Sequence, residues 1–508
     1  MNPETHIPSE PDSKDIVCSP LNDDSSTASV RRSSRGANTL FMLAGQFLGK
    51  GCLFASVMLL SRYLPDADFG ALLFAVVMGQ IYLLFSDMGV SMVLTMRCSV
   101  RPGDTQRLLS VSVSLRTILA LFGFPLLIAA GLIMGMGTGR LILLALIGTS
   151  VVFEALAELF YAIFRAGEKM LYEAVSRIIM GFTGLIAILI LIHFNAGVVF
   201  ISASYILRAL SAAAFSLIFI RRMGISLRPA FDLPSLKELL VTAMPLGIMG
   251  LIIIVHQKVD NVIIRQMLGE DYVAAWQQCL RIVEILILLV VPTLLPGALF
   301  PEMCRAFRKG TYRRQTGDMA RVFTALAVSL SLAVVSAGNR LLELIWGSSY
   351  LRNVSPQDMQ LCLYLSVGGL AVVYLMNIMI SSLLALNRIR VVVPVTAVAL
   401  AIVIAGNLLL IPAVGLPSAG VLFIAGNLFI LLCYYFYLRW RGYRLPIWGK
   451  ALRSVLAAVP AFAVTFYAVD LELLPAVLLP LAVYIPVWWF TGGGDAFKRL
   501  FPLNVIRD

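Results

Sequence analysis

The sequence predicts an all-α polytopic membrane protein of about fourteen transmembrane helices, two six-helix lobes in a parallel repeat followed by two C-terminal helices. Three observations predict it: an apolar composition poor in charge, a ladder of apolar segments each long enough to cross a bilayer, and a basic-residue bias that alternates along the ladder. The 508 residues are 59% hydrophobic and 13% charged, with a mean hydropathy of +0.89. Soluble domains carry about 25% charged residues, so a soluble fold is excluded. Lys and Arg number 40 against 28 Asp and Glu, a net charge of +12. On a soluble chain that excess would suggest a nucleic-acid partner; here it is assigned to cytoplasmic loops, and no nucleic-acid partner is expected.

Residues 1–36 are rich in Pro, Ser, Asp and Asn, and are expected to form a disordered cytoplasmic tail. No basic-then-apolar run with a small-residue cleavage site marks a signal peptide. Arg31, Arg32 and Arg35 stand directly before the first apolar segment, as on a cytoplasmic flank. The N-lobe, 37–220, holds segments at 40–61, 70–96, 109–134, 141–164, 174–193 and 198–220. A basic cytoplasmic linker, 221–237, follows. The C-lobe, 238–440, holds segments at 239–256, 272–299, 322–346, 359–386, 391–411 and 419–438. Residues 441–508 supply two more, 451–469 and 474–490, and a cytoplasmic tail. With the N-terminus inside, the inner segments hold about 30 of the 40 basic residues, the outer loops about 6 and the spans about 4. A missed helix would scramble that asymmetry, which supports an even number of spans with both termini cytoplasmic.

A duplication organises the ladder. The shift that carries Arg62 onto Arg265 also carries Asp68 onto Asp271, Phe69 onto Tyr272 and Ala71 onto Ala274. An acidic residue just before a helix suits its orphan N–H groups and positive dipole end. Weaker echoes pair Ala166-Gly167-Glu168-Lys169 with Ala385-Leu386-Asn387-Arg388, and Asn195-Ala196-Gly197 with Ser418-Ala419-Gly420. Both halves begin on the same side, so the repeat is parallel, which predicts two lobes about a cleft and alternating access.

The stretch Ser61-Arg62-Tyr63-Leu64-Pro65-Asp66-Ala67-Asp68-Phe69-Gly70-Ala71, followed by Ser86-Asp87-Met88-Gly89-Val90, resembles the first two helices of polysaccharide and O-antigen flippases (Wzx-type) of the multidrug/oligosaccharidyl-lipid/polysaccharide exporter superfamily. Val259-Asp260-Asn261-Val262-Ile263-Ile264, Ala385-Leu386-Asn387-Arg388 and Gly406-Asn407-Leu408-Leu409-Leu410-Ile411-Pro412 fit as well, and the similarity runs from about residue 38 to residue 440. The resemblance implies a multi-pass transporter of the bacterial inner membrane. Such a protein moves an undecaprenyl-diphosphate-linked oligosaccharide from the cytoplasmic to the periplasmic leaflet for surface polysaccharide assembly. Its implied partners are that lipid-linked oligosaccharide, membrane lipids, and a polysaccharide polymerase and glycosyltransferases. Lipid II flippases are close relatives, but they usually carry an Arg-Asp pair where this chain has Arg62-Tyr63.

Charges within spans are costly and therefore mark candidate sites. Lys50, Arg208 and Arg281, with Gln46 and Asn377, are the candidates for lining a cleft that accepts an anionic headgroup. Gln46 and Lys50 are four apart and share a helix face. Arg116, nearer a segment end, could snorkel to headgroups instead. Asp87, Glu154 and Glu158 are the coupling-ion candidates. Glu154 and Glu158 lie four apart, with Tyr161 and Arg165 continuing the stripe; two close carboxylates repel, which favours one taking a proton, but both could instead partner basic groups on neighbouring helices. Arg281 and Glu284, three apart, are expected to pair. His256 and Asp260 share a face and suit a structural contact or a gate, and Asn407 and Asn427, like Asn377, suit either sugar hydroxyls or interhelical hydrogen bonds. The seven cysteines show no metal-ligand spacing, and no metal or other cofactor is expected. No nucleophile–base constellation accompanies His6, His193 and His256, so an enzyme such as a membrane polysaccharide ligase is disfavoured. A cation-coupled multidrug or metabolite antiporter of the same superfamily is the main alternative; cationic side chains in the spans argue against its cationic cargo.

Overall fold

The computed structural model describes residues 28–227, 229–294, 300–347, 354–468 and 472–500. Among them, thirteen helices are long and apolar enough to cross a membrane. They correspond to thirteen of the expected segments; the remaining one, 272–299, runs into residues outside those described. The chain is an all-α, multi-pass membrane protein.

The chain divides into two compact units. One ends at Gln278 and takes in Ile345; the other begins at Cys279, continues to Leu344 and resumes at Ser355. The first unit contains α1 (Ala28–Tyr63), α2 (Asp66–Asp87), α3 (Val90–Val100), α4 (Thr105–Ile133), α5 (Thr138–Ala166), α6 (Met170–His193), α7 (Val198–Arg222), α8 (Leu233–Met267) and the start of α9 (Glu270–Leu294). It therefore extends through the linker 221–237, in which α8 already begins. In it, α1 and α6 pack backbone to backbone. A methyl on Gly49 would lie 2.9 Å from the Arg177 carbonyl, and one on Gly181 3.0 Å from Gly49. Glycine lets the two backbones approach where packing, not hydrophobicity, drives association within lipid.

The sequence reading and the structure part in four places. The tail expected to 36 is helical from Ala28, because extending an established helix outward costs far less than nucleating one. The second segment is not continuous. It breaks at Met88 and Gly89, both left-handed (φ 39° and 80°), and the Asp87 carboxylate accepts the Ser91 N–H (3.2 Å) and hydroxyl (2.7 Å) across the break. Arg116 does not snorkel. It is 2% exposed and pairs with Asp87 at 3.1 Å, because α4 starts at Thr105, placing Arg116 about 16 Å along the helix. The fifth segment starts at Met170 rather than 174, which brings Glu173 onto the helix that already carried Arg177.

The strongest repeat is matched by geometry. The two aligned stretches both fall on helix breaks, α1 to α2 and α8 to α9. Arg62 donates to the carbonyl of Ile345 (3.2 Å) and Arg265 to that of Met134 (3.3 Å), so each aligned arginine covers a helix-terminal carbonyl. The second echo matches in detail. Glu168 and Asn387 have φ of 55° and 54°, and the next N–H closes the same ring, Lys169 to Phe164 and Arg388 to Leu383, both at 2.8 Å. The third does not match: Asn195 is a left-handed turn residue (φ 53°), whereas Ser418 lies inside a helix, and the comparable turn is Gly415 (φ 76°). The two pairs of small polar residues resemble each other for different local reasons.

The second unit contains the rest of α9, then α10 (Phe300–Arg308), α11 (Tyr312–Trp346) up to Leu344, α12 (Pro356–Gly368), α13 (Leu370–Ala385), α14 (Val392–Val414), α15 (Pro417–Trp440), α16 (Ile447–Leu456), α17 (Val459–Ala468), α18 (Leu473–Trp488) and α19 (Gly494–Leu500). Its last helices are tied to α11 by polar contacts. Arg499 grips Asp318 with two bonds of 2.7 and 2.8 Å, and Ser454 donates to the Arg321 carbonyl (2.9 Å) while accepting from Trp488 (3.1 Å).

Candidate functional site

Within the first unit, α1, α5, α6 and α7 enclose a cavity of about 160 Å³. Gln46 and Lys50 reach it from α1, Glu154 from α5, Arg177 from α6, and Tyr205 and Arg208 from α7. The glycines that seat α1 on α6, Gly45, Gly49 and Gly181, also line it, as does Gly184, which faces Arg208 of α7. Because Gln46 and Lys50 each follow one of these glycines, close backbone packing directs the neighbouring polar stripe to the cavity.

Electrostatics divide the site into an open part and a locked part. In the open part, Arg208 lies 3.9 Å from Glu154, beyond hydrogen-bond reach, and its guanidinium sits 5.1 Å from the centre of the Tyr205 ring. In the locked part, two arginines and two glutamates close a ring. Arg165 binds Glu173 through two bonds (2.7 and 2.8 Å), and Arg177 binds Glu173 (3.0 Å) and Glu158 (2.9 Å). Arg165 completes it with Glu158 at 3.3 Å. Glu173 is 1% exposed, so these partners satisfy a carboxylate that no water reaches. The Arg177 guanidinium also lies 4.7 Å from the centre of the Tyr161 ring, whose hydroxyl meets Ser176 at 2.8 Å. Arg177 belongs to both parts, one side on the ring of charges and the other on the cavity.

Four of the eight candidate residues, Gln46, Lys50, Glu154 and Arg208, come together on this cavity. Glu158 stands one turn further along α5, and it and Glu154 each face arginine rather than each other. Of the two arrangements open to that pair, the geometry is the one with basic partners. Asp87 is held by Arg116 and Ser91. Arg281 and Asn377 belong to the second unit: Arg281 pairs with Glu284 at 3.0 Å, and Asn377 donates to the Val373 carbonyl of its own helix at 2.8 Å. Asn407 and Asn427 likewise donate to the carbonyls of Val403 and Phe423. Asp260 is buried, accepting from the Trp276 indole and from the Asn261 backbone and side chain (both 2.9 Å), the structural contact of the two roles weighed for it.

Sequence reasoning missed Glu173, Arg177 and Tyr205. The signal for the first two was present as an acid and a base four apart, which only a helix brings together. The charge of Glu173 depressed the local hydropathy and pushed the apparent span edge to 174, past it but not past Arg177. Tyr205 carried no such mark.

Residues 36–307, more than half of the chain, match the family described as polysaccharide biosynthesis protein. Among curated proteins, none matches the sequence. Solved structures of similar fold include the lipid II flippase MurJ in an inward closed conformation, with a TM-score of 0.73 and 13% identity over 91% of this chain and 99% of that one. An inward-facing multidrug resistance MATE family transporter of the MOP superfamily gives 0.62 and 15% over 78% and 94%. A MOP superfamily transporter from Pyrococcus furiosus gives 0.57 and 14% over 80% and 95%. At such identities the likeness establishes the fold, and the match over 36–307 establishes the family. The chain belongs to the polysaccharide biosynthesis protein family and is a multi-pass membrane protein with the fold seen in MurJ and MATE transporters.

Proposed function

We propose that the protein flips a diphosphate-linked oligosaccharide, carried on undecaprenol, from the cytoplasmic to the periplasmic leaflet of a bacterial inner membrane by alternating access. The distribution of Lys and Arg supports the reading that both termini are cytoplasmic. The observation that carries the reading is the charge of the cavity, which is lined by three cationic side chains, Lys50, Arg177 and Arg208, against one carboxylate, Glu154. A diphosphate entering a low-dielectric bundle loses its hydration, and charge-assisted hydrogen bonds from fixed cations offset that loss. Gln46 and Tyr205 supply neutral polar groups suited to sugar hydroxyls. A cationic drug would meet charge of its own sign, which favours the glycan carrier over the multidrug antiporter.

In this reading Lys50 and Arg208 hold the phosphates, and Glu154 is the exchangeable partner. An arriving anion competes with Glu154 for Arg208, and the freed carboxylate can then take up a proton or cation. Glu158 and Asp87, each held by an arginine and a second donor, keep the bundle's shape. Arg281 and Asn377, which bond Glu284 and the Val373 carbonyl of their own helices, are left out of cargo binding.

Complementation tests this. Expressed in a strain lacking its polysaccharide flippase, the wild-type chain restores surface polysaccharide, and Lys50→Ala and Arg208→Ala each lower it at equal protein level. Full activity in both variants would remove the cavity from the transport path.

A further inference from the structure

A second, larger cavity of about 570 Å³ lies in the first unit where α3, α4 and α8 meet. Arg97, Arg101 and Arg107 line it, with Asp104 and Glu238. Two of the arginines are engaged: Arg97 pairs with Glu238 at 2.9 Å and donates to Thr242 at 3.2 Å, and Arg107 donates to Ser235 at 3.2 Å. Arg101 has no ion-pair or side-chain hydrogen-bond partner among the described residues. Two long helices also start here, α4 after Asp104 and α8 after Asp232, and neither of those residues caps its helix through its side chain. Their first-turn N–H groups add two positive dipole ends to the arginine charge.

The apolar part of the wall sets this cavity apart from a site for a soluble anion. Met92, Met96 and Val100 form a stripe along α3, 53%, 50% and 78% exposed, and the last two line the cavity. Arginines beside an exposed apolar stripe match a molecule with an anionic head and an acyl chain.

We propose that this cavity binds the headgroup of a negatively charged phospholipid, its phosphate between Arg101 and Arg107 and its chain along Met96 and Val100. The site is separate from the cargo cavity, shares no lining residue with it, and does not depend on what the protein transports.

The test is native mass spectrometry of the full chain in detergent, titrated with phosphatidylglycerol, phosphatidylcholine and inorganic phosphate. Wild type retains phosphatidylglycerol over phosphatidylcholine, and Arg101→Gln with Arg107→Gln lowers that retention at least fivefold. Met96→Ser with Val100→Ser, which keeps every charge, lowers it as well. Arg140→Gln, whose partners are Asp68 and Glu270, leaves it unchanged. Equal retention by the arginine variant, or equal binding of the two lipids, would overturn the proposal. Displacement of phosphatidylglycerol by millimolar inorganic phosphate would overturn it in favour of a soluble anion.

Discussion

The two units treat their intramembrane polar residues differently. In the first, the polar groups of four helices meet: Lys50 and Gln46, Glu154, Arg177, and Arg208 and Tyr205 share one cavity. In the second, the polar residues named from the sequence bond within their own helices, although Arg281 Nε and Asn407 Oδ1 stay buried without a hydrogen-bond partner among the described residues. Asn377, Asn407 and Asn427 each bond a carbonyl one turn back, and Arg281 bonds Glu284 three residues on. A polar side chain satisfied by its own helix costs the membrane little and leaves nothing to offer a ligand. One satisfied only across helices constrains the packing, or remains able to exchange partners. Matched turns at the repeat boundaries therefore coexist with unequal chemistry inside the halves.

The comparison can be broken most forcefully at the ring of charges. Arg177→Met leaves Glu158 and the buried Glu173 with one arginine between them, and loss of one member of a buried ion pair costs about 3–5 kcal/mol. The expected outcome is a large fall in thermal stability in detergent, with Glu173→Gln in the same background recovering part of it. Next in size is the buried pair in α2 and α4. Asp87→Leu alone destabilises by stranding Arg116, whereas Asp87→Leu with Arg116→Met recovers most of that loss; a double-mutant cycle of unfolding temperatures measures the coupling. Arg208→Met is expected to reduce transport about tenfold or more with little change in stability, since a charge-assisted bond to cargo is worth about 1.5–3 kcal/mol. The smallest effects belong to the second unit. Replacing Arg281 with Met together with Glu284 with Leu, or Asn377 with Leu, is expected to leave transport within about threefold of wild type. A loss as large as that of Arg208→Met would erase the distinction between the units.

Much of the fold was legible because a bilayer imposes length and hydropathy on every crossing helix. The helix breaks at Pro65-Asp66 and Gly269-Glu270 were legible because a repeat preserves its turns. What escaped were features set by tertiary contacts. The break at Met88-Gly89 sits inside a segment long and apolar enough to read as one span, and is held by contacts of Asp87 with Ser91 and Arg116. Glu173 was left outside its span because buried charge looks like a loop to a hydropathy window. Four residues of the candidate site were legible, since Gln46, Lys50, Glu154 and Arg208 are polar residues in apolar spans. Asn377 and Arg281 carry the same mark, and only the structure separates a side chain bonded to its own helix from one that faces a cavity.

The most direct measurement of the central claim is a flipping assay on the full chain in proteoliposomes loaded with undecaprenyl-diphosphate-linked oligosaccharide, following exposure of the glycan to an impermeant glycan-cleaving enzyme outside. Wild-type protein is expected to expose glycan held in the inner leaflet, Arg208→Met and Lys50→Met to slow that exposure about tenfold or more, and Asn377→Leu to leave it nearly unchanged. Equal rates for wild type and both cavity variants, or no exposure above protein-free vesicles, would contradict the account.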